Sequence, residues 1–294
     1  MIKILHKLNV FYAWRKIAMA VFCMASIFTV NAQLSGSYTI DSSVATNDTN
    51  FNTFVEFIDT VNTYGINSPT TITFVNDEEL DTTAIFNVIA GANDTNTITI
   101  DGAGKALIYA GVDSSRSVID LNGTDHMTIK NLTIVNSGTH VGIRGIWFHN
   151  GADSNVIEKN TIEFSNLSEG ATSADLGGAY IAFADEGMIL NTYGDHGSYN
   201  KIDGNLMTTS NGNEEGPYAG IFMTSSSSST SGTNTIDQNE ITNNTIANFY
   251  YYGIYVRGTN GTLIKGNDIS RDAVTSGNAN SRLYGIYSYY NKST

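Results

Sequence analysis

Few side chains suited to acid–base chemistry stand next to each other in this sequence. Gly194-Asp195-His196-Gly197 places a carboxylate beside an imidazole, and such a pair can transfer protons. Asp and Gly also favour tight turns, and this motif lies in a loop. We therefore interpret it as a solvated turn and not as an active site. Asp113 and Arg116 share one early turn and are interpreted as a surface ion pair.

Basic residues flank two segments that share a glycine, isoleucine and aromatic pattern. His140, Arg144 and His149 surround the first segment, and Arg257 and Lys265 surround the fourth. If the segments stack at about 4.8 Å per step, three steps separate the two groups by roughly 14 Å. They cannot act on one bond unless a loop brings them closer. The sequence therefore leaves the catalytic residues unidentified.

Metal binding would have to rely on oxygen ligands. The loops between the repeated segments are acidic and could hold Ca²⁺ through carboxylate and carbonyl oxygens. The acidic residues concerned are Glu169, Asp175, Asp185, Glu186, Glu214 and Glu215. Their spacing matches no calcium loop. We therefore predict no cofactor and name Ca²⁺ as the metal that these loops could accept.

Five aromatic residues occupy equivalent places in the repeated segments. They are Trp147, Tyr180, Phe222, Tyr255 and Tyr287, and we predict that they form an external ladder. Sugar rings stack their C–H faces on aromatic rings, so such a row could bind an extended glycan. Alternatively, the rings stack on one another and only stabilise the sheet. More aromatic surface follows at Tyr250-Tyr251-Tyr252 and Tyr289-Tyr290.

Composition points to the elements that would position these residues. The chain has 294 residues, 28 of them Gly, 33 Asn and only 2 Pro. These residue types suit turns and short strands, which excludes a helical bundle. Hydrophobic residues make up 41%, which disfavours disorder. A formal net charge of −13 argues against nucleic acid as a partner.

The N-terminal segment has the pattern of a secretion signal. Four basic residues and no acid precede an apolar run from Ile17 to Val30, and Val30-Asn31-Ala32 suits cleavage before Gln33. The run is too short to span a bilayer, and no later stretch is long enough. The only cysteine, Cys23, would be removed. We predict a signal peptide over residues 1–32 and a secreted or outer-surface protein carrying −17, from 11 Lys+Arg against 28 acids.

A repeat organises the rest of the chain. The glycine–aliphatic–aromatic segments begin at Gly145, Gly178, Gly220, Gly253 and Gly285, at steps of 33, 42, 33 and 32 residues. Paired strand-like elements with alternating Ile follow the middle copies, each with a central Asn in the row Asn160, Asn205, Asn239 and Asn267. We expect this Asn row to form a hydrogen-bonded ladder inside a bend. Three short strands per repeat predict an all-β parallel β-helix.

The region before the repeats predicts a cap for the coil. Helical spacing of Phe51, Phe54, Val55, Ile58, Val61 and Asn62 indicates one amphipathic helix between Asn50 and Thr63. Strand-like runs follow at 71–75, 97–101, 106–109, 118–121 and 127–135. We therefore assign residues 33–110 to an N-terminal cap with irregular first coils, and residues 111–294 to β-helix repeats.

One stretch and the repeats together resemble a known family. The stretch is residues 122–134, with the sequence Asn-Gly-Thr-Asp-His-Met-Thr-Ile-Lys-Asn-Leu-Thr-Ile. Together with the repeats, this stretch resembles the right-handed parallel β-helix proteins of the pectin-lyase-like superfamily, and residues 38–104 look like the cap of large secreted members from Bacteroidetes-type bacteria. The resemblance implies a polysaccharide lyase using an Arg base and Ca²⁺, a hydrolase using clustered aspartates, or a surface protein without activity. The sequence contains neither an Asp-Asp pair nor Gly-His-Gly.

Two functions therefore remain open. The first is a secreted or cell-surface structural and binding module for extracellular carbohydrate or adhesion. The second is a polysaccharide lyase or glycoside hydrolase acting on acidic polysaccharide. The fifth repeat stops at Asn291-Lys292-Ser293-Thr294 without a cap, and because an open coil end exposes its core, we expect the solenoid to continue beyond Thr294.

Overall fold

The computed structural model describes residues 33–109, 117–138, 142–165, 178–185, 193–210, 216–225, 236–271 and 283–292. The chain divides into two units, Met1–Gln33 and Leu34–Thr294, and the elements below all belong to the second. The prediction of a signal peptide over residues 1–32 falls outside the described residues. Within the described ranges, no helix is long and apolar enough to cross a membrane.

One helix and 23 strands make up the described structure, and the strands stack as coils. In chain order they are β1 (Leu34–Ile40), β2 (Asn50–Phe51), α1 (Phe54–Tyr64), β3 (Ile66–Phe74), β4 (Glu78–Leu80), β5 (Ala84–Phe86), β6 (Ile98–Asp101), β7 (Ala106–Tyr109), β8 (Ser117–Asn122), β9 (Met127–Lys130), β10 (Thr133–Asn136), β11 (Arg144–His149), β12 (Val156–Glu158), β13 (Thr161–Phe164), β14 (Ala179–Phe183), β15 (Lys201–Asp203), β16 (Leu206–Thr209), β17 (Ala219–Thr224), β18 (Glu240–Thr242), β19 (Thr245–Ala247), β20 (Tyr252–Arg257), β21 (Leu263–Lys265), β22 (Asp268–Ser270) and β23 (Tyr284–Tyr289). From β3 onward, each set of three strands forms one coil, giving seven coils in the described part of the chain.

Equivalent strands of successive coils pair in parallel and build three sheets. The first sheet has the order β2-β1-β3-β6-β9-β12-β15-β18-β21. The second is β22-β19-β16-β13-β10-β7-β4, and the third is β23-β20-β17-β14-β11-β8-β5. The predicted all-β parallel β-helix is confirmed.

The core of the coil consists of rows of apolar side chains. In the first sheet the register aligns Ile72, Ile100, Ile129, Ile157, Ile202, Ile241 and Ile264. All but Ile264 are completely buried. Burying each isoleucine contributes about 2 kcal/mol, and a shift of one residue would turn the whole row outward. The apolar pattern therefore sets the register of every coil.

Asparagine ladders supply hydrogen-bond partners for backbone N–H and C=O groups at two bends of the coil. Between the first and second sheets, Asn205 Oδ1 accepts from the backbone N–H of Asn160 at 3.0 Å, and Asn205 Nδ2 donates to Ile157 O at 2.8 Å. The next members are Asn244 and Asn267. The predicted ladder is confirmed except at Asn239, which belongs to a second ladder with Asn155 and Asn200. In the sequence, Ile241 can be aligned either with Ile202 or with Met207. The buried register of the first sheet pairs it with Ile202.

Helix α1 covers the first coil, as predicted. The Thr53 side chain caps its N-terminus by accepting from the Glu56 N–H. The Phe54 ring packs 5.0 Å from Phe74 and 5.9 Å from Phe86, which belong to the first and third sheets. Two details of the prediction are wrong. Val55 is exposed, because the buried stripe runs through Phe57, and Phe51 lies in β2.

The five strand-like runs predicted before the repeats all contain strands. The run 127–135 holds two of them, β9 and β10, because the chain bends at Asn131 with a positive φ of 53°. Strands β1, β2, β4 and β5 were not predicted. Three of these have only two or three residues, too few to show alternation, and their partners lie far away in the sequence.

Candidate functional site

The face of the third sheet that points away from the core carries the aromatic ladder. Register aligns Trp147, Ala182, Phe222, Tyr255 and Tyr287 in one row. Trp147, Phe222 and Tyr255 belong to a hydrophobic cluster separate from the main core, and Tyr287 packs against it. Four of the five predicted positions are therefore brought together as expected.

Tyr180 is the exception, and its predicted outward position is wrong. Ile181 aligns with Ile146, so Tyr180 takes the place of Gly145 and Ala182 takes the aromatic position. The Tyr180 ring is completely buried in the main core, 4.8 Å from Phe164, and its hydroxyl donates to Ala247 O and Asn248 O at 3.0 Å. Burial raises the pKa of this phenol far above its usual value.

Most of the aligned rings are covered and stack on one another. Trp147, Phe222 and Tyr255 are 6%, 1% and 7% exposed. Phe222 and Tyr255 are 4.4 Å apart and nearly parallel, and Tyr255 and Tyr287 are 5.2 Å apart. Such pairs contribute about 1 kcal/mol each beyond burial. The inner part of the row therefore stabilises the coil, which is the alternative that the sequence left open.

Accessible rings gather instead on the last two coils. We call Tyr251, Tyr252, Tyr284, Tyr287, Tyr289 and Tyr290 the tyrosine surface. Tyr284 and Tyr289 are 36% and 42% exposed, and the other four are partly exposed. Tyr284 stacks on Tyr252 at 5.3 Å and on Tyr251 at 5.7 Å. Burial and neighbouring phenols raise the pKa of Tyr252, so its hydroxyl stays protonated at neutral pH.

Arg257 stands at the edge of the tyrosine surface. It ends β20, two residues after Tyr255, and therefore points to the same side of the sheet. Its guanidinium carbon is 5.1 Å from the Tyr193 ring and 5.6 and 5.7 Å from those of Tyr289 and Tyr290. A cation is attracted to aromatic faces at these distances. Lys265, which the sequence grouped with Arg257, lies on β21 in the first sheet.

A buried polar cluster occupies the same face four coils nearer the helix, in the second and third coils. His149 Nε2 lies 2.6 Å from Asp120 Oδ1, and both side chains are nearly inaccessible. Asn150 Nδ2 donates to Asn122 Oδ1, so a donor also faces His149 Nδ1 at 3.1 Å. His149 Nδ1 therefore accepts a hydrogen bond, and the Nε2–H donates to Asp120.

Trp147 joins this cluster to Arg144. The indole stacks on His149 at 4.2 Å, and the Arg144 guanidinium carbon lies 4.6 Å above it. The indole Nε1–H donates to Ala184 O at 2.8 Å. The sequence singled out Arg144 and His149 but missed Asp120, which aligns with Trp147 one coil earlier. Aligning 117–122 with 144–149 would have found it.

The remaining predicted residues do not join these two clusters. Asp195 and His196 lie on the bend that leads into the first sheet, where burial raises the pKa of Asp195 and the carboxylates of Asp237 and Asp125 act in the same direction. His140, Asp113, Arg116, Glu169, Asp175, Glu186, Glu214 and Glu215 fall outside the described residues. Asp185 is described and lies two residues after the end of β14. The described ranges contain no group of three His, Cys, Asp or Glu side chains suited to a metal ion.

A depression lies on the bend between the first and second sheets. Its lining includes Gly104, Asn131, Leu132, Lys159 and Thr161. It contains no carboxylate and no aromatic ring, and it belongs to a different edge of the coil from the tyrosine surface. The outer face of the third sheet therefore remains the candidate site.

Comparison with known proteins reveals similarity of fold. No family model matches the chain, and no curated protein matches it. Two solved structures do: the native and selenomethionine forms of a GH136 lacto-N-biosidase from Eubacterium ramulus, each with a TM-score of 0.54 and 13% and 14% identity. The match covers 87% of this chain and 51% of theirs. The chain thus spans about half the length of each structure that it matches.

Proposed function

We propose that this protein is a secreted or cell-surface β-helix module that binds extracellular carbohydrate on its tyrosine surface. The observation that carries the proposal is the cluster of accessible, mutually stacked tyrosines on the last two coils. Sugars present C–H faces that pack on aromatic rings, while phenol hydroxyls hydrogen-bond to sugar hydroxyls. A rigid coil holds the rings in place before binding, which lowers the entropic cost.

The site residues in this proposal differ from those of the ladder predicted from sequence. Tyr287 is retained, and Tyr284 and Tyr289 are added because they are exposed. Phe222 and Tyr255 are the covered rings that adjoin this surface. Trp147 belongs to the buried polar cluster, and Tyr180 belongs to the core. The fold similarity to a lacto-N-biosidase supports a carbohydrate ligand without identifying one.

Replacing Tyr284 and Tyr287 together by Ala tests the proposal. If each ring contributes about 1 kcal/mol to stacking, the double variant should bind its glycan about 10–100-fold more weakly. Glycan-array screening of the intact protein selects the glycan, and calorimetry measures the dissociation constant. Tyr199→Asn is the matched control, since Tyr199 is exposed on another bend and its positive φ of 58° suits Asn. Unchanged affinity in the double variant, or no bound glycan in the parent, would contradict the proposal.

The fold similarity also favours a second candidate, a glycoside hydrolase. Hydrolysis of a glycosidic bond commonly uses two carboxyl groups, and Asp120 is the carboxylate that the described strands of the third sheet carry on their outer face. The other carboxyl group would have to come from a residue outside these strands. Cleavage of a bound glycan that Asp120→Asn abolishes would support this candidate, and intact glycan after long incubation would count against it. A lyase would instead leave an unsaturated product that absorbs in the ultraviolet.

The wider assignments rest on the sequence alone. We propose that residues 1–32 direct secretion, that the repeats belong to the pectin-lyase-like superfamily of Bacteroidetes-type proteins, and that Ca²⁺ is the metal that the acidic loops would take. N-terminal sequencing of the protein recovered from its host tests the first point: a mature chain that begins at Met1 would contradict it.

A further inference from the structure

Among the described residues, no carboxylate forms an ion pair with Arg257, although the protein is strongly acidic. The ion pairs among the described residues are His126–Asp94, Lys130–Asp101, His149–Asp120 and Lys201–Asp203. Arg257 takes part in none of them, although the chain has 28 acids. Its Nε is buried and lacks a hydrogen-bond partner. The tyrosine rings contact this guanidinium, and the Tyr255 hydroxyl is within its reach.

The Tyr255 hydroxyl hydrogen-bonds to Arg257 and can accept from at most two of the five guanidinium N–H donors. Ring faces attract the positive charge, with about 0.5–1 kcal/mol at an exposed site, but they accept few hydrogen bonds. A guanidinium has five N–H donors in a planar fork that matches the two oxygens of a carboxylate or sulfate. An arginine that is held by rings and has no carboxylate partner in the described part of the chain is therefore suited to bind an external oxyanion.

The other arginines of the described ranges also contact aromatic rings, but different ones. Arg144 is 1% exposed and stacked on Trp147. Arg271 Nη1 donates to Tyr250 O at 2.9 Å. Arg257 is partly exposed and adjoins the accessible tyrosines, so a glycan that lies on the tyrosine surface passes directly beside it.

We propose that Arg257 is an anion subsite of the tyrosine surface and binds the carboxylate of a uronic acid or the sulfate ester of a glycan seated there. This inference rests on the proposed carbohydrate-binding function and adds the charge of the ligand. The net charge of −13 repels polyanions as a whole. A preference for an acidic glycan therefore cannot come from bulk attraction and has to come from a local cation.

The experiment compares each anionic polymer with its neutral counterpart on the full-length protein. Polygalacturonate is paired with its carboxyl-reduced form, and dextran sulfate is paired with dextran, at matched length and ionic strength. Affinity gel electrophoresis or calorimetry gives the four dissociation constants. We expect at least one anionic polymer to bind about tenfold or more tightly than its neutral match. Preference within the first pair assigns a carboxylate, and preference within the second assigns a sulfate ester.

Variants at position 257 connect the preference to Arg257. Arg257→Gln should bring the ratio of anionic to neutral affinity close to one while the neutral polymer binds as before. Arg257→Lys keeps the charge but loses the fork, so its ratio should be intermediate. Lys265→Gln removes an exposed cation from the first sheet and should leave the ratio unchanged. Far-ultraviolet circular dichroism confirms that each variant folds.

The outcomes separate the two proposals. If neutral and anionic polymers bind equally, or if Arg257→Gln keeps the preference, the anion subsite is wrong and carbohydrate binding stands. An equal loss of preference in Lys265→Gln would also overturn it, because a general charge effect would then explain the result. If no polymer and no array glycan binds, both proposals fail.

Discussion

Tyr180 occupies the aromatic position of the sequence repeat, yet its side chain lies on the core side of the sheet and not on the outer side. Tyr180 follows Gly178-Ala179 and precedes Ile181, so it fits the aromatic place of the repeat. The core decides otherwise, because aligning Ile181 with the other isoleucines of the third sheet buries Tyr180 and directs its hydroxyl to two carbonyls. One buried phenol thus makes both of these hydrogen bonds.

Removing that hydroxyl should have a measurable cost and change the response to alkali. Tyr180→Phe should lower the free energy of unfolding in urea by about 1–2 kcal/mol at pH 7. The folded-state pKa of Tyr180 lies above its unfolded value near 10. Its contribution is therefore fully present below about pH 10 and is lost as pH rises further. Tyr180→Phe should thus lose stability less steeply above pH 10 than the parent. The exposed Tyr199→Phe serves as control, and equal effects of both changes would contradict the inward position.

At the scale of elements, the glycine of the repeated strand explains how closely the coils can pack. Gly220 and Gly253 are the second residues of β17 and β20, the place that Gly145 holds in β11. A Cβ on Gly220 would lie 2.3 Å from Ile246 Cγ2 and 2.5 Å from Gly253 O. The second contact is with backbone of the neighbouring coil, which cannot move aside without shifting the sheet. Glycine is therefore required there by close approach.

Two glycines at the same repeat position should respond very differently to alanine. Gly220→Ala should destabilise the fold by about 3 kcal/mol through overpacking. Gly285→Ala should be nearly neutral, because a Cβ there has no atom within 4 Å. Chemical denaturation of both variants measures the difference. Similar losses in both would show that backbone conformation, and not packing between coils, selects glycine at this position.

At the scale of the whole molecule, stability should vary along the coil axis. Each coil of a solenoid contacts only its neighbours. The first coil is covered by α1 and β1, whereas β23 in the seventh coil is largely exposed and its Ile286 is 51% accessible. Ile254, the equivalent residue one coil earlier, is fully buried. Opening the seventh coil thus exposes little further apolar area.

Hydrogen exchange followed by mass spectrometry should reveal this gradient. We expect amides of Tyr284–Tyr289 to exchange about 100-fold faster than those of Ala219–Thr224, since local opening needs less free energy than global unfolding. Strand β3, under the helix, serves as the protected reference at the other end. Uniform protection from β3 to β23 would mean that the described coils unfold as one cooperative unit.

Repeats, strand alternation and the N-terminal helix could be predicted because they are local patterns. Spacing of two residues identifies a strand, and helical spacing around Phe54 identifies the cap. The site could be predicted only in part. The row Trp147, Phe222, Tyr255 and Tyr287 follows from the repeat, whereas the exposure of Tyr284 and the burial of Phe222 depend on what packs above each ring.

The sequence by itself thus determined the coil, since its alternating isoleucines and bend asparagines can be buried in few other ways. Tertiary structure alone decided which residues of unequal repeats align. The number of residues per coil varies with the loops, so sequence spacing alone does not fix the alignment. Burial of the isoleucine rows places Asn244, and not Asn239, in the ladder with Asn205. It also places Ala182, and not Tyr180, opposite Trp147. It also decided which distant side chains meet. Asp120 and His149 are 29 residues apart and reach 2.6 Å because one coil stacks on the next. Arg257 approaches Tyr193 through a comparable long-range contact.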